Sequence, residues 1–102
     1  MSFFVCVVEL ELHLPRNRSL KEKRKELRSL KDRLQRRFGA AVAETEHHDL
    51  WQRSTLEIAL VGRERRSLDE TADALQRFVD ARSGDWTRWQ RTLIATNELR
   101  EG

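Results

Sequence analysis

The chain of 102 residues has one cysteine, one proline and four glycines, and none of its apolar runs is long. Each scarcity excludes something. A lone Cys6 rules out a disulfide framework, and its place inside "FFVCVV" reads as a core thiol in a reducing compartment, not as a nucleophile. With so little glycine there is no glycine-rich phosphate loop. The connection after the first apolar segment is "LPRNRS", so Arg16 or Arg18 could imitate the phosphate-binding arginine of an acylphosphatase but not its loop. No serine stands in a G-x-S-x-G elbow. A membrane span needs ~18 to 20 apolar residues, and nothing approaches that. The start "MSFFVCVVELELHL" lacks the basic region and small-residue cleavage site of an export signal, and Glu9 and Glu11 interrupt its apolar part. A cytoplasmic protein without membrane attachment is expected.

What the chain has is charge. Hydrophobic residues make up 38% and charged residues 36%, the balance of a globular protein with a heavily charged surface. At this length one domain over residues 1–102 is expected, because there is no room for two cores. The net charge of +3 is unevenly spread. Residues Arg16 to Arg37 carry eleven of the twenty basic side chains and three acidic ones, which sets that stretch at +8 and the remainder at −5.

Phe3 to Leu14 alternates clearly in its second half, with Cys6, Val8, Leu10, Leu12 and Leu14 on one face and Val5, Val7, Glu9, Glu11 and His13 on the other. That spacing predicts a strand with one wet face, stopped by Pro15. "SLKE" at Ser19 to Glu22 is a capping box opening a helix, and Gly39 closes it. A short strand follows over Val42 to Glu46, then the polar loop "HHDLWQRS", then a strand through Leu56, Ile58 and Leu60 to about Gly62. "SLDE" at Ser67 to Glu70 reads as a second capping box, with Leu68, Ala72, Leu75, Phe78 and Val79 on one helical face and "SGD" at the end. Trp86 to Thr96 reads as the last strand, and residues 97–102 as a polar, frayed tail. The order β-α-β-β-α-β predicts an α+β, ferredoxin-like sandwich, a four-stranded antiparallel sheet with two helices on one face. In that topology three connections meet at one end: Leu14 to Ser19, His47 to Arg53, and Ser83 to Trp86.

On the first helix Lys21, Arg24, Arg28 and Lys31 form a ribbon beside the apolar arc of Leu27, Leu30, Leu34 and Phe38. Glu22, Glu26 and Asp32 lie elsewhere on the wheel, near Lys25, Arg33 and Arg36, and are expected to pair there. An unpaired cationic ribbon fits a phosphate backbone, and it equally fits a solvated face whose stems cover apolar edges. Lys23 falls inside the apolar arc, where a charge needs a partner. A bridge to Asp49 pinning the loop is one reading; a lysine held ready for an anion, with His48 and Asp49 beside it, is the other. His47, His48, Asp49, Glu44 and Glu46 resemble a metal donor set, but adjacent histidines on an extended segment point opposite ways and no second ligand pair appears, so no metal or cofactor is expected. Trp51, Trp86 and Trp89 are the remaining signals. Aromatic residues among basic ones can stack unpaired bases. The face of the first and third strands, however, offers Val5, Val7, Thr55, Glu57 and Ala59 in place of aromatic rings. Val5, Val7, Ala59, Val61 and Ile94 would leave an apolar patch there, which suggests a homodimer.

Two stretches together, "ELELHLPRNRSLKEKRKELRSLKDRLQRRF" and "VAETEHHDLWQRSTLEIALV", closely resemble the YlxP-like family, small bacterial proteins classed as a domain of unknown function. The resemblance weakens after Gly62, and its signature pieces are "SLKEKR" and "DLWQR". It implies a ferredoxin-like sandwich in a bacterial cytoplasmic protein. Genes of that family often lie beside those for translation initiation factor two and ribosome-binding factor A, which implies ribosome or RNA work by association. No catalytic residue carries over. The expectation is a non-enzymatic protein that contacts ribosomal or other structured RNA. Lys21, Arg24, Arg28 and Lys31 would lie on phosphates, with Arg16, Arg18, Trp51 and Arg53 at the adjoining end. The alternative is a homodimeric protein–protein module whose basic helix docks an acidic partner.

Overall fold

The computed structural model describes residues 3–83 and 86–101. The elements are β1 (Phe4–His13), α1 (Leu20–Phe38), β2 (Ala41–Glu46), β3 (Arg53–Gly62), α2 (Arg65–Ser83), β4 (Thr87–Ala95) and α3 (Thr96–Glu101). The four strands form one sheet in the order β2-β3-β1-β4, every neighbouring pair antiparallel. This is the ferredoxin-like sandwich that the alternation and capping signals predict. Cys6, Val8, Leu10 and Leu12 point from β1 into the core, where Leu56, Ile58 and Leu60 of β3 meet Leu27, Leu30 and Leu34 of α1 and Leu68, Leu75 and Val79 of α2. Each fully buried aliphatic side chain contributes about 1.5 to 3 kcal/mol, and these residues supply the main favourable term holding helices to sheet. Among the described residues no helix is long and apolar enough to cross a membrane.

The caps of α1 act as the sequence predicts, with one difference. Ser19 Oγ accepts from the Glu22 N–H at 3.1 Å, but the Glu22 carboxylate reaches past the cap and accepts from the Arg18 N–H at 2.7 Å. Gly39 takes the left-handed conformation (φ 64°) and its N–H bonds back to Gln35.

Three boundaries depart from the sequence reading. α2 starts at Arg65, so "SLDE" lies inside its first turns. There Ser67 Oγ donates to the Glu64 carboxylate (3.4 Å) instead of capping, because the helix is already under way before Ser67, its first turn closed by the Leu68 N–H on the Glu64 carbonyl (3.1 Å). β4 ends at Ala95, and the stretch read as a frayed tail begins the short helix α3. Thr96 ties that junction down: its N–H bonds to the Phe3 carbonyl (2.8 Å) and its Oγ1 accepts from the Phe3 N–H (2.9 Å). The "SGD" turn falls partly on residues 84 and 85, which lie outside the described residues, as does Gly102.

Candidate nucleic-acid interface

The connections predicted to converge are hydrogen-bonded to one another. At the end of β1 the His13 N–H bonds to the Trp86 carbonyl (2.9 Å) and the Leu14 N–H to the Gln52 carbonyl (2.8 Å). Gln52 Nε2 donates to the carbonyls of Pro15 and Asn17, each at 3.2 Å. One glutamine of the β2–β3 loop thus holds the β1–α1 loop, which explains how segments 35 residues apart share one surface.

Lys23 is 1% exposed and does not pair with Asp49. Its Nζ lies 2.8 Å from Glu44 Oε2 and donates to the His47 carbonyl. Glu44 occupies the core-facing register of β2, opposite Leu56, and also accepts from Ser54 Oγ at 2.6 Å. Burial pushes the Glu44 carboxyl up. The hydrogen bonds from Lys23 and Ser54 and the Lys23 charge more than reverse that, so the group ends below its ordinary range. A β-bulge between Glu44 and Glu46, followed by His47 at φ 65°, turns the chain so that Asp49 lands on the exposed loop. His48 is exposed, and its Nε2 donates to the Glu44 carbonyl at 3.0 Å. Of the three residues read as an anion pocket, Lys23 is therefore committed to structural partners, and His48 and Asp49 face solvent.

The ribbon is free of carboxylates. Lys21, Arg24 and Arg28 are exposed and Lys31 is half-buried, and among the described residues none of the four lies in an ion pair. The expected pairs of Glu22, Glu26 and Asp32 with α1 cations do not form either; Lys23 alone on this helix has an ionic partner among the described residues. Exposed pairs on a helix gain only about 0.3 to 0.5 kcal/mol, so their formation is optional; on α2 the Arg66–Glu70 pair does form, at 3.3 Å. On the other flank of the apolar arc Arg37 sits over the Phe78 ring of α2 (4.7 Å), and Glu26 shares a cavity with Ala81 and Arg82 of α2. The ribbon consequently lies on the flank of α1 turned away from α2, beside the edge strand β2. It begins at the loop end and, at about 1.5 Å per residue, runs ~15 Å from Lys21 to Lys31.

At the loop end Arg16, Arg18, Trp51 and Arg53 are all exposed. Trp51 and Trp86 are each 51% exposed, and the rings of Trp86 and His13 meet edge-on at 5.2 Å. Trp89 serves the core instead. It is half-buried, and its Nε1 donates to Asp80 Oδ1 (2.9 Å), which also accepts from Thr87 Oγ1 (2.6 Å).

The open sheet face divides in two. Val5 lies between Val61 and Ile94, and Val7 between Ala59 and Thr92, with Val61 71% exposed. The next rows are acidic, Glu9 opposite Glu57 and then Glu11 opposite Thr55. Burial raises the Glu57 carboxyl, and the hydrogen bond and charge of Glu9, then the charge of Glu46, raise it further. Among the described residues no group of three or more His, Cys, Asp or Glu is placed to hold a metal ion.

Sequence reasoning missed Glu44 as the partner of Lys23, Asp80, and Arg88, which β4 sets opposite Glu11. The first was within reach: Glu44 alternates with Val42, which places a carboxylate on the core face of β2 as the natural counterpart of a lysine on the core face of α1.

Residues 5–94 match the family model described as "Protein of unknown function (DUF503)". The "Uncharacterized protein YlxP" of Bacillus subtilis (strain 168) is 33% identical over 78 residues, covering 76% of this chain and 80% of that protein. The solved structure of the "De novo designed protein Foldit4" superposes with a TM-score of 0.56 at 5% identity, over 90% of this chain and 96% of the design, a likeness of fold alone.

Proposed function

The chain belongs to the DUF503 family, and because that membership names no activity, we propose one from the geometry: a non-enzymatic bacterial cytoplasmic protein that binds structured RNA, the ribosome included, through α1. The observation that carries this reading is the ribbon of Lys21, Arg24, Arg28 and Lys31, four cations on one flank with no carboxylate partner among the described residues. Contacts of this kind grip phosphates, so affinity follows charge and shape and reads little sequence. Arg16, Arg18 and Arg53 extend the positive surface round the end of the helix.

The test is fluorescence anisotropy with a labelled RNA hairpin as salt is varied, for the wild type and a Lys21→Glu/Arg24→Glu/Arg28→Glu/Lys31→Glu variant. Each phosphate contact contributes about −0.7 to −0.9 to the log–log salt slope, so a slope of about −2 to −4 and near-total loss in the variant are expected. A folded wild type that binds no hairpin at low salt refutes the reading.

The apolar rows Val5, Val7, Ala59, Val61 and Ile94 support a second reading, a homodimer through the open sheet face whose basic helix docks an acidic partner. Light scattering across a range of concentrations separates the two: a monomer at every concentration removes the dimer.

A further inference from the structure

Two large aromatic rings are left half bare at the same end of the molecule, and the packing does not require it. An indole carries ~150 to 250 Å² of surface and repays burial generously, yet Trp51 and Trp86 each keep 51% of theirs exposed while Trp89 is packed and hydrogen-bonded. Between them stands His13, the last residue of β1, paired in register with Arg53. A cavity of about 480 Å³ opens on the Trp86 side, lined by His13, His47, Arg53, Arg88, Glu11 and Trp86. A second of about 350 Å³ opens on the Trp51 side and shares His13 and Arg53 with the first. Adjoining at these two residues, they make a two-part trough across the loop end. Both volumes suit a group the size of a nucleobase and its ribose.

The polar groups of the trough are unevenly committed. Arg53 and Arg88 have no carboxylate within ion-pair distance among the described residues. Glu11, register partner of both Thr55 and Arg88, sets a negative charge beside Arg88 and leaves Arg53, common to both cavities, as the cation open to phosphate. Thr55 lines the same cavity at 1% exposure, and its hydroxyl has no hydrogen-bond partner among the described residues. Half-exposed indoles, a guanidinium group between them and an unpartnered hydroxyl in the floor are the components of a single-strand track, where bases stack and the backbone follows the cations.

We propose that the loop end binds an unpaired stretch of RNA, one base stacking on Trp51 and one on Trp86 either side of His13, with the backbone between them on Arg53. The inference rests on the RNA reading above and deepens it: the ribbon, which starts at Lys21 beside this end, takes the paired part, and the trough takes the strand that leaves it.

The test uses the full chain and two labelled RNAs, a blunt hairpin and the same hairpin with a six-nucleotide single-stranded 3′ extension, titrated against the wild type and against Trp51→Ala, Trp86→Ala, Trp86→Phe and the four-residue ribbon variant. Circular dichroism confirms that each variant is folded. Stacking of one base corresponds to roughly a tenfold change in affinity or more. The wild type is expected to bind the extended hairpin at least tenfold tighter than the blunt one. Each Trp→Ala change should remove about tenfold on the extended RNA and leave the blunt RNA unaffected, while Trp86→Phe keeps most of the gain. Equal affinity for the two RNAs, or an equal loss on both in the Trp→Ala variants, overturns the trough while the ribbon reading stands. Absence of binding to either RNA overturns both.

Discussion

Replacing Lys23 by methionine isolates the buried ion pair that pins the β2–β3 hairpin to α1. Methionine keeps the volume of the stem and removes the ammonium. Two groups then lose their partner: the Glu44 carboxylate, 16% exposed and left with Ser54 alone, and the His47 carbonyl. Breaking a buried pair from one side costs about 3 to 5 kcal/mol because the remaining charge is stranded. Glu44 retains some contact with water, which places the expected cost nearer ~2 to 3 kcal/mol. For a domain of this length about 1 kcal/mol corresponds to roughly 4 to 8 °C, so thermal unfolding at neutral pH should drop by on the order of 10 to 20 °C. Adding Glu44→Met should recover part of the loss, since an apolar pair at such a site is close to neutral. The sign of the pH dependence follows from the lowered Glu44 carboxyl. Its stabilisation is present above the ordinary glutamate range and disappears as pH falls through the depressed value, so the gap between wild type and Lys23→Met should narrow in acid. Amide exchange across residues 47–52 should quicken, because the His47 carbonyl loses its anchor while its backbone stays at φ 65°. A variant melting within 2 to 3 °C of wild type (under about 1 kcal/mol by the same scale) would refute the reasoning. Lys23 and Glu44 would then be worth no more than a surface pair.

Two further outcomes are expected. Glu57→Gln should raise the melting temperature at neutral pH, because burial and Glu9 make the ionised form costly in the folded state; the advantage should vanish below the ordinary glutamate range, and a melting series against pH reads it directly. Asp80→Ala strands the Thr87 hydroxyl and the Trp89 indole N–H together, a loss of about 1 to 3 kcal/mol, and near-ultraviolet circular dichroism of the Trp89 band reports whether that ring has been released.

How far the sequence revealed this molecule depends on the range of the interaction. Alternation of Cys6, Val8, Leu10 and Leu12, the Ser19 cap and the Gly39 stop are local signals, and the elements they predict are those observed. The anomaly of Lys23 was equally visible, since a cation on a core-facing arc is conspicuous wherever it occurs. Its partner Glu44 was within reach through alternation with Val42; what no local signal gives is the bulge after Glu44, which shifts the phase by one residue and carries Asp49 away from Lys23. "SLDE" misled for a related reason: a capping box reports only that some helix can start there, and Arg65 starts it earlier. The trough lay further beyond reach. Glu11 and Arg88 become neighbours only through the register of β1 on β4, which nothing near either residue specifies.

The distribution of charge joins these observations. The cations of the ribbon and loop end occupy one flank and one end, whereas Glu9, Glu11, Glu46 and Glu57 lie together on the open sheet face, the side opposite the helices. A polyanion approaching such a molecule is attracted to α1 and the loop end and repelled by the acidic middle rows of the sheet, Glu9 opposite Glu57, so it is oriented before any contact forms. The cost of that arrangement is visible in Glu57, whose carboxyl is crowded by Glu9. Relieving the crowding with glutamine should therefore stabilise the fold while weakening the preference for the helical flank. On this argument the glutamine variant, one charge more positive, associates with RNA at least as fast at low salt but with a weaker preference for the helical flank, and the difference disappears once salt screens both faces.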